Sequence, residues 1–282
     1  MSERRENSGR VEGTVALVTG AARGVGRAQA VRLAEEGADI IAIDLCGPVP
    51  THDGPHATAQ DLDETARQVT RLGRRIVAEV ADVRDLPGLE AAVQRGVDTL
   101  GRLDTVCATA GIGGSAPVLE MGEEVWQSML DVNLTGVWHT CTAAVPHLLR
   151  TGRGSIVLTS SIAGLRGLRN VGHYVAAKHG VVGLMRTLAK ELADSGIRVN
   201  TLHPTNVDTP MIQHDRVRRA FRPDLDDPTR EEFAEAARTM NLLPIPWVDP
   251  VDVANATLFL ASDEARYITA AALPIDAGAI HK

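Results

Sequence analysis

Cysteine is scarce in this 282-residue chain, and the three present, Cys46, Cys107 and Cys141, are odd in number and widely spaced. That excludes a disulfide framework and a C-x-x-C metal site, so they are expected as reduced, partly buried thiols. No run reaches the ~18 consecutive apolar residues of a membrane span. The N-terminal MSERRENSGRVEG is charged and lacks the apolar core of a signal peptide, so a cytoplasmic location is expected. A basic excess is missing too, since the net charge is -7 with pI ≈ 5.7. Nucleic-acid affinity rests on clustered Lys and Arg, whereas Arg4-Arg5 and Arg216 to Arg222 are short and interleaved with acids, as a solvated surface would be. His52 and His56 have no partner cluster at metal-ligand spacing, and no metal is expected.

What is present is an ordinary globular composition, 44% hydrophobic and 23% charged, enough for one large α/β domain. A flexible tail is expected over about 1–12, the domain over about 13–282. TVALVTG, Thr14 to Gly20, is a continuous apolar run rich in β-branched residues, the pattern of a parallel strand buried on both faces. It runs into GAARGVGRAQAVRLAEEGA, where Gly20, Gly24 and Gly26 open a helix. Glycines at such a turn let backbone approach a pyrophosphate, which the helix N-terminus stabilises through exposed N–H groups. A plain tight turn is the alternative.

Asp44 ends the second strand, DIIAIDL, about 20 residues beyond the glycines, where an acid accepts hydrogen bonds from an adenosine ribose and repels a 2′-phosphate. NAD is thereby favoured over NADP. Arg23, inside the glycine turn, is the contrary signal. The strand RRIVAEV, with Asp82 after it, the strand DTVCATAG and the sixth strand IRVNTLHP continue a βα alternation. Strand ends of one parallel sheet face one crevice. The cofactor is therefore expected against Gly20, Arg23, Gly24, Val25 and Gly26, then Asp44 and Leu45, Asp82 and Val83, Ala110 and Gly111, and finally Pro204, Val207 and Thr209. Asp82 has a second reading as N-cap of the helix after it.

Two segments interrupt the pattern. CGPVPTHDGPHAT, Cys46 to Thr58, is longer than βα loops usually are. A charged, proline-containing stretch with a short helical portion, within about 207–247, is the natural place for a lid. Trp126 to Leu149 reads as one long helix, apolar on several faces, with Asn133 among buried neighbours.

The chemistry is expected at GSIVLTSSIAGLRGLRNVGHYVAAKHGVVGLMRTLAKEL, Gly154 to Leu192. Tyr174 and Lys178 lie four apart on a helix and share a face, so the ammonium is expected to favour the ionised phenol. Ser161, at the mouth of the preceding strand, is placed to bond the same oxygen that the phenol protonates.

With TGAARGVG, Asp82, the TAG turn, Asn133 in DVNLTGVW, Ser161, Tyr174-x-x-x-Lys178 and the late PIDAG, the chain from about Gly13 resembles the classical short-chain dehydrogenases/reductases. The resemblance implies a doubly wound Rossmann fold with a seven-stranded parallel sheet and helices on both faces. It implies a nicotinamide cofactor and a catalytic tetrad of Asn133, Ser161, Tyr174 and Lys178, with Lys178 also on the nicotinamide ribose. A homotetramer follows from the same source. DLCGPV with its extended loop, HPTNVDTPMI and LPIDAG narrow the likeness to the mycofactocin-coupled, carveol dehydrogenase-like subgroup. That implies a hydrophobic secondary alcohol or ketone as substrate, tightly held NAD and mycofactocin as electron carrier. Thr109 stands where the family has Asn, and Thr205 where most relatives have Gly. The alternatives are a freely exchanging NAD(P)-dependent carbonyl reductase and a non-catalytic dinucleotide-binding regulator.

Overall fold

β1 (Val15–Thr19) is buried throughout and apolar up to its last residue because it is covered on both sides, and its alternate residues enter two different cores. Val15 and Leu17 face one, Ala16 and Val18 the other. β2 (Asp39–Asp44), β3 (Ile76–Val80), β4 (Thr105–Ala108), β5 (Gly154–Thr159), β6 (Ile197–Pro204) and β7 (Ala272–Ile275) complete a seven-stranded sheet of order β3-β2-β1-β4-β5-β6-β7. Every pairing is parallel, with Leu17 opposite Ile41 on one side and Val106 on the other. The computed structural model describes residues 9–52 and 54–282.

Helices cover both faces, as the alternation requires. α1 (Gly24–Glu35) and α2 (Ala59–Arg71) pack on the Ala16 side. α3 (Leu86–Leu100), α4 (Glu123–Leu130), α5 (Gly136–Thr151) and α6 (Gly172–Glu191) pack on the Leu17 side. After β6 come α7 (Asp215–Phe221), α8 (Arg230–Arg238) and α9 (Pro250–Ala261), and α9 returns to the α1 face. The strand order reverses between β1 and β4, and at such a switch point the carboxyl ends of the strands leave a crevice.

Four expectations need correction. The segment read as one helix is interrupted by a π turn, Asp131–Thr135, between α4 and α5. Apolar residues lie on several faces of this segment, so the pattern did not reveal it. The stretch after β6 contains two helices, clasped by Phe221 against Phe233 with ring centres 4.9 Å apart. α8 is started by a capping box between Thr229 and Glu232. The N-cap of α3 is Asp85, not Asp82. Of the expected tail, residues 1–8 lie outside the described residues; beyond them Val11 is buried and its N–H donates to the Glu36 carbonyl. Among the described residues no helix is long and apolar enough to cross a membrane.

Candidate active site

The crevice begins at the glycine turn. Gly20 adopts φ +71°, and a Cβ there would stand 2.8 Å from the Ala110 Cα, so only glycine lets β1 and β4 ends approach this closely. Gly24 faces Thr209, whose methyl would be 3.2 Å from a Cβ. The first turn of α1 holds Val25 and Gly26, carries no acid, and receives no side-chain cap from Arg23. Its backbone N–H groups are open to an anion.

Asp44 holds this turn from the β2 end, accepting from the N–H groups of Ala22 and Cys46 at 3.0 Å each. Arg23 donates instead to the Pro55 carbonyl. At the next strand end, burial alone would raise the Asp82 pKa, but its hydrogen bonds with Arg84 outweigh that and hold the carboxylate below its ordinary value. Val83 is buried behind it, its carbonyl 2.8 Å from His139 Nδ1, and Leu45 packs on the same core. On the far side Pro204 ends β6, and Val207 forms a lone parallel bridge to Val248. The residues expected around a dinucleotide thus share one end of the sheet.

The remaining four also converge. β5 ends at Thr159, whose carbonyl accepts from Lys178 Nζ at 2.8 Å. One turn earlier on α6 lies Tyr174, with Nζ 5.5 Å from its ring centre. Ser161 caps the short 3-10 turn Ile162–Gly164, its Oγ accepting from the Ala163 N–H at 3.2 Å. Asn133, fully buried in the π turn, grips Ile112 by both backbone groups, Nδ2 to the carbonyl at 3.1 Å and Oδ1 from the N–H at 3.3 Å. Gly111 joins the groups: a Cβ there would meet Asn133 Oδ1 at 2.7 Å and Lys178 Nζ at 3.8 Å.

The electrostatics differ from expectation. Burial raises the Tyr174 pKa above its ordinary value, opposed by a hydrogen bond from Ser161, while burial pulls Lys178 down to about 8. The phenol is therefore not ionised by its neighbour. Of the two groups, Lys178 is the one that burial brings towards neutral pH. All three thiols are likewise held at about 12 by burial, which makes them unreactive.

Sequence reasoning missed a buried polar chain behind the site. Thr159 Oγ1 lies 3.0 Å from Thr109 Oγ1, which donates to Gln29 Oε1 at 2.6 Å, and Gln29 Nε2 donates to Thr257 at 2.9 Å. The signal was a glutamine on the apolar face of α1. The Cys46–Thr58 loop reaches across the strand ends: Thr51 Oγ1 donates to Ser128 at 2.5 Å, His52 Nδ1 lies 2.8 Å from the Gly113 carbonyl, and His56 stacks edge-on against His52 at 5.7 Å. Among the described residues no cluster fit for a metal ion occurs.

The family described as Enoyl-(Acyl carrier protein) reductase matches residues 20–280. A (-)-trans-carveol dehydrogenase of Rhodococcus erythropolis is 59% identical over 272 residues, 95% of this chain and 98% of that protein. A cyclohexanol dehydrogenase of Acinetobacter sp. (strain SE19) is 35% identical over 95% of this chain and 96% of its own. The crystal structure of carveol dehydrogenase from Mycobacterium avium in complex with NAD superposes with TM-score 0.97 at 55% identity, covering 98% of this chain and 100% of that one. With its sheet order, glycine turn and Tyr174/Lys178 pair, the chain belongs to the short-chain dehydrogenase/reductase family, in its carveol dehydrogenase-like branch.

Proposed function

We propose that this protein is a cytoplasmic NAD-dependent dehydrogenase that interconverts a hydrophobic secondary alcohol and its ketone, retains NAD between turnovers, and passes the electrons to mycofactocin. The observation that carries the reading is the convergence of Ser161, Tyr174 and Lys178 at the β5 end beside the glycine turn. The residues fit NAD: the uncapped N-terminus of α1 suits a pyrophosphate, Asp44 suits a ribose diol, and Arg23 is engaged by Pro55 rather than free for a 2′-phosphate. NAD supplies the hydride acceptor when bound. Tyr174 takes the alcohol proton while its own passes to the neutral Lys178, which would also hold the nicotinamide ribose; Ser161 orients the alcohol oxygen, and Asn133 fixes the Gly111–Ile112 turn beneath them.

A panel including (-)-trans-carveol and cyclohexanol, assayed beside mass spectrometry of the freshly purified, denatured protein, tests this. Bound NAD and oxidation of a secondary alcohol are expected, and a protein inert on every alcohol and ketone would sink the reading. The proton inventory adds a pH prediction. Alcohol oxidation needs the Tyr174/Lys178 pair to have lost one proton, and burial brings the titration of Lys178 to pH about 8. The kcat/KM for oxidation should rise through that pH and then level, while ketone reduction falls over the same range. A profile flat from pH 6 to 10 would contradict it.

Asp44→Ala should weaken NAD binding by about 10–100-fold, since charge-assisted hydrogen bonds contribute ~1.5–3 kcal/mol. Discrimination against NADP should fall with it. A wild type that binds NADP more tightly than NAD in a titration would reverse the assignment of Asp44. A homotetramer is proposed through α4, α5 and α6, because α5 leaves Trp138 and Leu149 nearly half exposed. Sedimentation should give four times the 30.0 kDa chain mass; a stable monomer at micromolar concentration would exclude it.

A further inference from the structure

We infer that His203 is a positioning residue for the alcohol-binding hydroxyl of Ser161, an inference that rests on the role proposed above for Ser161. His203 is the penultimate residue of β6, fully buried on the sheet face that carries α6. Its Nδ1 lies 2.7 Å from the Ser161 carbonyl and its Nε2 lies 2.8 Å from Thr201 Oγ1. A carbonyl only accepts, so Nδ1 bears the proton and Nε2 accepts from the Thr201 hydroxyl. Both ring nitrogens are thereby committed, and the imidazole cannot rotate without losing two buried hydrogen bonds.

The effect on Ser161 is specific. Its carbonyl is held twice, by His203 and by the Gly164 N–H at 2.9 Å. Its hydroxyl is held loosely, accepting from Ala163 at 3.2 Å and with its one proton shared between the Tyr174 phenol oxygen and the Pro204 carbonyl, the latter at 3.4 Å a long and weak bond. The dipeptide His203-Pro204 therefore meets Ser161 on both sides, fixing its backbone while leaving Oγ ready to turn to a substrate oxygen. Burial, reinforced by the nearby Lys178 and His179, keeps the His203 pKa below its ordinary value, against the pull of the Ser161 carbonyl and Asp276. The neutral ring that this donor geometry needs is the one present at neutral pH. Freedom of Ser161 to drift by about 1 Å would cost on the order of a hundredfold in rate.

Leucine and asparagine have the same shape, and only asparagine can replace the Nδ1 donor, so the pair separates positioning from packing. In the purified holoenzyme, with whichever alcohol of the panel turns over fastest, His203→Leu should lower kcat by about tenfold or more. The KM and the retained NAD should change by less than about twofold, because nothing else at the site moves. His203→Asn should stay within about threefold of wild type. Combined with Ser161→Ala, His203→Leu should cause no further loss, because a positioning residue has nothing left to position. If His203→Leu does not fold, His203→Gln takes its place, since its amide reaches the Thr201 end and leaves the Ser161 carbonyl without its donor. The inference is overturned if the donor-less variant keeps more than half the wild-type kcat, if His203→Asn falls as far, or if the loss adds fully to that of Ser161→Ala. A wild type inert on the whole panel removes the role of Ser161 and this inference with it.

Discussion

Tyr174→Phe is expected to yield a folded protein that still holds NAD and turns over its alcohol ~10²–10⁴ times more slowly, the usual contribution of a positioned general acid–base. The substitution removes one oxygen and no ring. The phenyl group still packs against the Leu17-side core and still lies 5.5 Å from Lys178 Nζ. What disappears is the one group placed to exchange a proton with a substrate oxygen beside Ser161. Burial brings Lys178 to about 8, and the alcohol proton reaches it only through the phenol, so the residual rate should also lose its dependence on pH near about 8. Steady-state rates with the best alcohol, together with thermal unfolding and mass spectrometry of bound NAD, check both halves. More than about a tenth of wild-type activity would show that another group moves the proton.

Much of this site could be read from sequence because parallel strands buried on both faces announce themselves as unbroken apolar runs. Once β1, β2, β4 and β5 are placed, Gly20, Asp44, Gly111 and Ser161 must share one end of the sheet. Helical spacing then sets Tyr174 beside Lys178. Features made by contacts between distant segments were not legible. Thr109 meets Gln29 across 80 positions and Thr159 across 50, and no local pattern encodes such pairs. The π turn was hidden for a different reason, since the segment Trp126 to Leu149 is apolar on several faces and a shift of its stripe leaves apolar residues inward either way. The shift of Lys178 towards neutral pH arises from burial, which spacing along a helix does not report.

The largest effect away from the proton-transfer residues should come from the Cys46–Thr58 loop. Replacing residues 47–57 by a short turn, while keeping Cys46 bonded to Asp44 and Thr58 capping α2, is expected to turn a retained cofactor into an exchanging one. The loop, whose Asp53 lies outside the described residues, leaves the adenosine end of the crevice and is tied across it in three places. Arg23 of the glycine turn donates to the Pro55 carbonyl, His52 bonds the Gly113 carbonyl at 2.8 Å, and Thr51 donates to Ser128 of α4. Its prolines reduce the entropy lost when it orders. At about 1 kcal/mol for each net hydrogen bond, the ties amount to ~3 kcal/mol, and opening against them slows release by about a hundredfold. The shortened protein should therefore lose NAD on dialysis and regain activity when NAD is supplied, whereas the wild type should keep its cofactor and need an external electron acceptor to turn over repeatedly. Dissociation rates measured by exchange with labelled NAD decide the matter. A wild type that is isolated without NAD and runs at full rate with added NAD would show that the loop is no barrier to the cofactor.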